Sequence, residues 1–499
     1  MMNRFMSGLQ TANNYAITEN GALTHRSTES SLLDLFAMGA AYRTRSDEDV
    51  ILLFKNAFNE NPVYALKCLF YIRDVRGGQG ERRFFRVIMK WLASQNTEAA
   101  RRNLQYIPEF GRWDDLFIFI GTPLQNDALD FVKHQLALDV QCKTPSLLAK
   151  WMPSENTSST KTRQTASVVR NYLKMTSKEY RKVLSALRKR INVLERLMSE
   201  GRWDEIEFDK IPSKAGLKYK NAFARHDIER MKTEKNVQSY ADFAKSTETK
   251  VNAKALYPYE VVDKGYQASR RRMDDTDRLM VNKYWDNLAD YFAGKTFNGL
   301  AVVDTSASMT WSGGAAAPIN VAISLGMYCA EKAKGPFAGH YVSFSSSPRL
   351  VKVEGVDFCD KVRRIQDTNL CQNTNIEATF DMLLSTAIAN NCSQEDLPEN
   401  IIVISDMEFD QGTSYRHGNT KTLMENIREK WSRNGFRMPH LIYWNVEARQ
   451  NNIPEDIGCS PVSYVSGMSP SIFETIMSGK TGYDMMMEKL NSERYAVIG

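Results

Sequence analysis

The spacing of apolar residues changes once along this chain, close to residue 297. From residue 30 to about 235, apolar side chains recur three and four positions apart, as in Ser31–Met38 and 50–58. This spacing places them on one face of a helix. Beyond residue 297, short Val- and Ile-rich runs alternate with helical segments. We therefore expect an all-helical region followed by an α/β region.

The helical region consists of amphipathic segments joined by short polar links. Its further helices are predicted at 62–72, 83–93, 128–140, 163–175 and 180–198. Successive helices with short links favour antiparallel pairs stacked as an α-solenoid. Residues 236–295 are polar and helical in tendency, which indicates a helical connector, and the Asn-, Thr- and Ser-rich residues 1–29 indicate a flexible N-terminus.

The α/β region alternates apolar strands with amphipathic helices. Strands are predicted at 300–304, 339–344, 349–353, 401–406, 440–446 and 462–465. Strands that are apolar on both faces and separated by helices form a mostly parallel, doubly wound sheet. Ligands of such sheets bind beyond the carboxyl ends of the strands.

Small hydroxyls and carboxylates follow several of these strands. Asp304 ends the first strand, and Ser306 and Ser308 follow it at alternate positions. Thr374 lies in a loop before a helix, and Asp406 ends the strand predicted at 401–406. These groups offer hard oxygen ligands, of which Mg²⁺ takes about six. The pattern predicts a divalent-cation site, holding Mg²⁺ or another ion such as Mn²⁺.

This constellation resembles the metal-ion-dependent adhesion site (MIDAS) of von Willebrand factor A domains. The resemblance implies that Ser306, Ser308 and Thr374 bind the cation directly. It also implies that Asp304 and Asp406 act through water, and that a partner's carboxylate completes the sphere. A degenerate domain that has kept the fold and lost the metal is the alternative.

The chain departs from that family directly after Asp406. Many family members have a small residue there, whereas this chain continues with Met407 and Glu408. Glu408 either adds a ligand or crowds the site.

Charge is distributed unevenly along the chain. Residues 296–499 contain 17 Lys and Arg against 23 Asp and Glu, whereas residues 1–295 contain 48 against 36. The window 161–235 alone has 20 basic and 10 acidic residues. The basic part either meets a polyanion or simply carries solvated charges on long helices.

Five arginines surround a glycine-rich break in residues 73–86, with the sequence RDVRGGQGERRFFR. Free backbone N–H groups and guanidinium groups at such a break could hold phosphates. The alternative is a helix–helix turn with solvated arginines. No G-x-x-x-x-G-K-[ST] motif is present, which argues against nucleotide hydrolysis.

Several segments together resemble the family named domain of unknown function 2828. They are 73–86, 111–116 (GRWDDL), 148–159 (LAKWMPSENTSS), 211–220 (IPSKAGLKYK), 256–259 (LYPY) and 462–470 (VSYVSGMSP). The resemblance extends from about residue 30 to the end. The layout of that family is similar to that of Ro autoantigen, or TROVE, proteins. In those proteins a ring of HEAT-like repeats is closed by a von Willebrand factor A domain.

The resemblance to TROVE proteins implies a ribonucleoprotein that binds small noncoding RNAs and single-stranded RNA ends. The RNA-binding candidates, chosen for charge and position, are Arg73, Arg76, Arg82, Arg83, Arg112, Lys150, Lys161, Arg163, Lys214, Lys218 and Lys220. Trp151 and Tyr219 are candidates for base stacking or for packing. The expected domains are a flexible N-terminus (1–29), a HEAT-like repeat domain that could form a ring (30–235), a connector (236–295) and a von Willebrand factor A domain (296–499).

Three functional classes follow from these features. RNA binding is the leading hypothesis, and a protein adaptor whose partner's carboxylate completes the cation site is the second. A metal-dependent hydrolase is the weakest, so no enzymatic activity is expected. No run of about 18 apolar residues is present, which excludes a membrane partner. Seven cysteines without a C-x-x-C pair predict reduced thiols and a cytoplasmic location.

Overall fold

The computed structural model describes residues 14–232, 238–270, 275–310, 314–344, 347–367, 374–411, 421–455 and 462–499. Residues 371–373, which directly precede Thr374 in its predicted loop, lie outside these ranges. Internal contacts divide the chain into two compact units. The sheet unit comprises Met1–Cys68 and Leu256–Glu493, and the helical unit comprises Leu69–Ala255 and Arg494–Gly499.

Helices account for most of the first 290 residues and alternate with strands thereafter. In the described ranges, the helices are α1 (Ser31–Met38), α2 (Asp47–Glu60), α3 (Pro62–Arg73), α4 (Arg83–Gln95), α5 (Thr97–Asn103), α6 (Ile107–Phe110), α7 (Gln125–Gln141), α8 (Leu148–Trp151), α9 (Thr160–Tyr172), α10 (Ser177–Arg190), α11 (Leu194–Ser199), α12 (Ser213–Arg225), α13 (Asp227–Met231), α14 (Tyr240–Lys245), α15 (Pro258–Arg270), α16 (Asp275–Asp286), α17 (Pro318–Lys332), α18 (Phe358–Asp367), α19 (Ile376–Ala389), α20 (Leu423–Arg433), α21 (Ile472–Ile476) and α22 (Gly482–Leu490). None of them has the length and apolar composition needed to cross a membrane.

Local chemistry sets where these helices begin and end. Ser30 caps α1 and Ser46 caps α2, each accepting a bond from a backbone N–H of the first turn. The single helix predicted at 180–198 is wrong: it is divided into α10 and α11. Asn192 adopts a positive φ of 48°, which a continuous helix does not allow.

The sheet confirms the predicted α/β region. The strands of the described residues are β1 (Tyr15–Ile17), β2 (Leu23–His25), β3 (Gly299–Asp304), β4 (His340–Phe344), β5 (Arg349–Lys352), β6 (Asn400–Ser405), β7 (His440–Asn445) and β8 (Val462–Ser466). Six of them form one sheet in the order β5-β4-β3-β6-β7-β8, parallel except for β5. The first and last residues of each predicted strand lie within two residues of those of an observed strand. The alternation of apolar strands and helices therefore predicted the sheet correctly.

Residues 14–29, part of the segment that was expected to be flexible, contain two paired strands. β1 and β2 form an antiparallel hairpin in the sheet unit. His25 exchanges both backbone hydrogen bonds with Ile453, at 3.0 and 2.9 Å, and the Thr24 hydroxyl donates to the Ile453 carbonyl at 2.8 Å. These long-range bonds compensate for the small number of apolar side chains in the hairpin.

The expected domain borders also differ from the observed division. The start of the helical region belongs to the sheet unit, because α1 packs against β8: the Ser466 hydroxyl donates to the Phe36 carbonyl at 3.0 Å. The second part of the expected connector also joins the sheet unit. There Arg278 of α16 forms an ion pair with Asp357 at 2.6 Å.

The helical unit has its own aromatic core. Phe70 contacts Phe85 and Phe110 edge to face, with ring centroids 5.2 and 5.3 Å apart. Tyr495 stacks on Phe110, and the Tyr495 hydroxyl donates to buried Asp74 at 3.0 Å. The last six residues therefore complete this core rather than the sheet unit.

Candidate functional site

The carboxyl edge of the sheet brings two of the predicted loops together. β3 and β6 are parallel neighbours, with Val303 opposite Ile404, so Asp304 and Ser405 both lie where these strands end. One oxygen of Asp304 accepts from the Ser405 hydroxyl at 2.6 Å, and the other from the Ser306 N–H at 2.9 Å. The parallel register thus fixes the orientation of the Asp304 carboxylate.

The hydroxyls continue this network to the third loop. The Ser306 and Ser308 hydroxyls lie 2.9 Å apart, and the Ser308 hydroxyl bonds to the Asp406 carboxylate. Thr374 joins the same loop, because its carbonyl accepts from the Asp410 N–H at 2.9 Å. The structure therefore brings all five predicted cation-site residues to one edge of the sheet.

Buried negative charge dominates this edge. Burial, reinforced by the charge of Asp406, raises the pKa of Asp304 well above its usual value. Burial also raises the pKa of Asp406, although Arg449 opposes this shift through an ion pair at 3.0 Å. Burial raises the pKa of Glu408 to about 7. Both Asp304 and Glu408 are 0% exposed. Buried carboxylates are costly unless a cation compensates them.

The donor atoms at this edge fit a small divalent cation. Oε2 of Glu408 accepts from the Glu19 N–H at 2.8 Å, whereas the buried Oε1 has no hydrogen-bond partner. No group of three His, Cys, Asp or Glu side chains able to hold a metal occurs among the residues the structure describes. A cation here would therefore depend on the hydroxyls of Ser306, Ser308 and Thr374. Hard oxygen donors of this kind suit Mg²⁺.

Two of the predicted RNA-binding residues, Arg73 and Lys220, are buried in the helical unit. Arg73 is 2% exposed and donates twice to Asp115, at 2.9 and 2.7 Å. Lys220 is 4% exposed, and its ammonium donates to the Asn221 side chain at 2.9 Å. Neither side chain presents its charge to solvent. Charge alone could not distinguish them from surface residues.

The Arg-Gly-Gly segment is a turn whose amides at residues 79–81 bond within the protein. The N–H groups of residues 79–81 donate to the carbonyls of Tyr71, Asp74 and Ile72 at 3.1, 3.0 and 2.8 Å. A Cβ added at Gly78 would lie 2.0 Å from the Tyr71 carbonyl oxygen, so the turn requires glycine there. These amides are therefore not available to an anion.

Arginines do cluster beside this turn. Asp114 contacts Arg112 and Arg86, each at 2.9 Å, and Arg82 at 4.0 Å. Burial and the charges of Arg86 and Arg112 lower the pKa of Arg82, although half of its side chain is exposed. The Arg112 guanidinium lies 4.1 Å from the Trp151 ring centroid. We call Arg82, Arg86, Arg112, Lys150 and Trp151 the arginine patch.

The remaining candidates are accessible to varying degrees. Arg83 and Lys150 are half-buried, and the exposed candidates are Arg76, Lys161, Arg163, Lys214 and Lys218. Lys218 lies 4.8 Å from the Tyr219 ring centroid. Sequence reasoning did not include Arg86 among the candidates, because its position beside Arg112 depends on the pairing of both with Asp114.

Comparisons with known proteins give two family matches. The model of the domain of unknown function DUF7788 matches residues 298–496, and that of DUF2828 matches 18–147 and 135–295. The chain is 28% identical to "Uncharacterized protein L728" of Acanthamoeba polyphaga mimivirus, over 95% of this chain and 86% of that protein.

A solved structure also matches, the Ro (RSR) protein of Deinococcus radiodurans. The identity is 14% and the TM-score 0.48, with 91% of this chain and 100% of that chain covered. The DUF2828 matches span more than half of the chain and confirm the membership predicted from the sequence motifs. The chain belongs to the DUF2828 family.

Proposed function

We propose that this protein is a Ro/TROVE-like RNA-binding protein with a cation-binding von Willebrand factor A domain. In this proposal the helical unit binds noncoding or single-stranded RNA by contacting the phosphate backbone of the RNA. The α/β domain expected at 296–499, most of which lies in the sheet unit, is the von Willebrand factor A domain and holds Mg²⁺. The protein acts by binding, without catalysis.

The separation of charge between the two units carries this proposal. The helical unit contains 36 Lys and Arg against 22 Asp and Glu, a balance of +14. The sheet unit contains the remaining 29 basic and 37 acidic residues, a balance of −8. A folded unit with this excess of positive charge attracts polyanions, and phosphate neutralisation supplies most of the affinity for a nucleic acid.

Within the helical unit, the arginine patch is the proposed contact surface for RNA. Its three guanidinium groups share the two carboxylates of Asp114 and Asp115, and the Lys150 ammonium lies 5.7 Å from the Trp151 ring centroid, so positive charge is in excess there. Trp151 adds an aromatic face next to these charges. Charged groups with an adjacent aromatic ring suit single-stranded nucleic acid, whose phosphates and bases are both accessible. The resemblance in layout to TROVE proteins favours RNA over DNA.

The cation site would give the sheet unit a second binding function. Ser306, Ser308 and Thr374 would bind the ion directly, with Asp304 and Asp406 behind them. A bound ion there supplies a Lewis-acidic position for an oxygen ligand. Ser405 and Arg449 orient the two aspartates at this edge.

The first test is a filter-binding titration with a short single-stranded RNA at several salt concentrations, with Mg²⁺ and with EDTA. We expect affinity that falls steeply with salt and is unchanged by EDTA, because the helical unit binds the RNA. No binding at low salt would contradict the proposal. It would favour the adaptor hypothesis, in which a partner's carboxylate reaches the cation.

A further inference from the structure

The turn of the β1–β2 hairpin, residues 18–21, reaches two of the three loops of the cation site. We propose that this turn is a built-in cover of the Thr374 and Glu408 side of the site, which slows release of the cation and blocks a partner's carboxylate on that side until the hairpin moves. The inference rests on the cation part of the proposed function. We call residues 18–21 the cover turn.

Asn20 is the centre of these contacts. Its side-chain amide donates to the Glu408 carbonyl at 2.6 Å and to the Thr374 hydroxyl at 3.5 Å. Its carbonyl accepts from the Gln411 N–H at 3.1 Å. The Thr374 hydroxyl is a proposed direct ligand, so Asn20 lies immediately beside the coordination sphere.

The neighbouring residues fasten the turn on both sides of Asn20. The Thr18 hydroxyl donates to the Phe409 carbonyl at 2.6 Å, and the Glu19 N–H donates to Glu408 at 2.8 Å. The backbone also forms a β-bridge between Gly21 and Asp410. Together with the bonds of Asn20, these bonds join the cover turn to residues 408–411.

A charged link adds to this attachment. Arg449 contacts Glu19 at 2.9 Å and Asp406 at 3.0 Å, so one guanidinium joins the cover turn to a residue of the cation site. Glu19 also accepts from the Gln450 side chain at 3.3 Å. The Glu19 carboxylate thus forms an ion pair with Arg449 next to the cation site, where a partner's carboxylate would bind.

Burial differs between the residues of the site. Asp304, Ser306, Thr374 and Asp406 are all at most 2% exposed, whereas Ser308 is partly exposed. The cover turn contacts the site on the side of Thr374 and Glu408. On that side, a carboxylate from another protein could reach the cation only after the hairpin moves.

The test measures release of Mn²⁺ from the full-length protein into excess EDTA, followed by the electron paramagnetic resonance signal. Asn20→Ala removes the bonds to Thr374 and Glu408. We expect release roughly tenfold faster than in the wild type, the effect of losing hydrogen bonds of ordinary strength. Thr18→Val, which removes the bond to Phe409, should act in the same direction.

Asn14→Ala is the matched control. Asn14 is in the same hairpin, and its side chain bonds the Ser27 backbone at 2.9 and 3.0 Å, away from the cation site. It should release Mn²⁺ at the wild-type rate. Water-proton relaxation by the bound Mn²⁺ gives a second readout, which should rise only in Asn20→Ala and Thr18→Val as solvent gains access.

The outcomes distinguish failure of the cover from failure of the cation site. If wild type binds Mn²⁺ and both cover-turn variants match it in release and relaxation, the cover is overturned and the cation site stands. If Asn14→Ala accelerates release as much as Asn20→Ala, general loosening of the hairpin replaces the cover. If Ser306→Ala binds Mn²⁺ as tightly as the wild type, or if none binds, the cation site itself fails.

Discussion

At the scale of single residues, a buried ion pair explains why the segment GRWDDL (residues 111–116) contains Gly111 and Asp115. Asp115 accepts from Arg73, from Arg86 and from the Arg112 N–H, which it caps at 3.0 Å. Gly111 leaves room for this pair, since an added Cβ would lie 2.5 Å from an Asp115 oxygen. Burial acts to raise the pKa of Asp115, but the arginines outweigh it and hold the pKa below its usual value.

We expect Asp115→Asn to destabilise the protein by about 3 kcal/mol, because buried Arg73 would lose its countercharge. Asp114→Asn is the control. The Asp114 carboxylate is partly exposed, so this substitution should destabilise the protein by no more than about 1 kcal/mol. Urea unfolding at neutral pH measures both. Equal effects would show that Asp115 acts as one more surface partner of the arginines.

The sequence predicted single residues well where a strand end determined their position. Asp304 and Asp406 follow parallel strands, so their proximity could be inferred without coordinates. Arg449 and Asn20 could not be predicted in this way, because their contacts with Asp406 and Thr374 depend on chain folding over 43 and 354 positions. Sequence spacing gives no signal for such pairs.

At the scale of elements, strongly patterned segments were predictable and short polar ones were not. The interior strands are apolar and buried along most of their length, so their sequence alone identifies them. The hairpin strands contain three residues each and lack this pattern. Their structure depends on bonds to Ile453 and Phe409, which tertiary folding supplies.

The first residue of β7 makes the stability of the sheet depend on pH. Burial lowers the pKa of His440 from 6.5 to about 4, and its ring nitrogens lie 3.0 Å from Asn400 and Ser463. A lowered histidine pKa means that the unfolded chain takes up the proton first. The stability from neutral His440 is therefore complete above pH 6.5 and is lost as the pH falls towards 4.

We expect the wild type to lose about 2 kcal/mol relative to His440→Gln between pH 7 and pH 5. Urea unfolding of both proteins at the two pH values measures this difference, in which titration of the other groups cancels. His134→Gln, at an exposed position, should track the wild type. A constant difference between wild type and His440→Gln would show that protonation of His440 does not distinguish the folded from the unfolded chain.

At the scale of the whole molecule, the two observed units differ in net charge by more than the two parts of the sequence do. Dividing the chain at residue 296 gives balances of +12 and −6, whereas the observed units carry +14 and −8. Half of this difference comes from Arg494, which folds with the helical unit, and half from the first 68 residues, which have a net charge of −1 and fold with the sheet unit. The position of these 68 residues at the start of the chain did not indicate that they fold with the sheet unit.

The location of charge, and not the net charge, should therefore decide RNA affinity. Arg82→Glu and Arg433→Glu change the net charge equally, but Arg82 lies in the arginine patch and Arg433 on the sheet unit, where it is 78% exposed. We expect Arg82→Glu to weaken binding of single-stranded RNA at every sequence. It should also lower the salt slope by about 0.7 for each phosphate that the protein no longer neutralises. Arg433→Glu should leave both unchanged in filter binding. Equal reductions in the two variants would mean that RNA responds to the overall charge, and the patch would then have no specific part in binding.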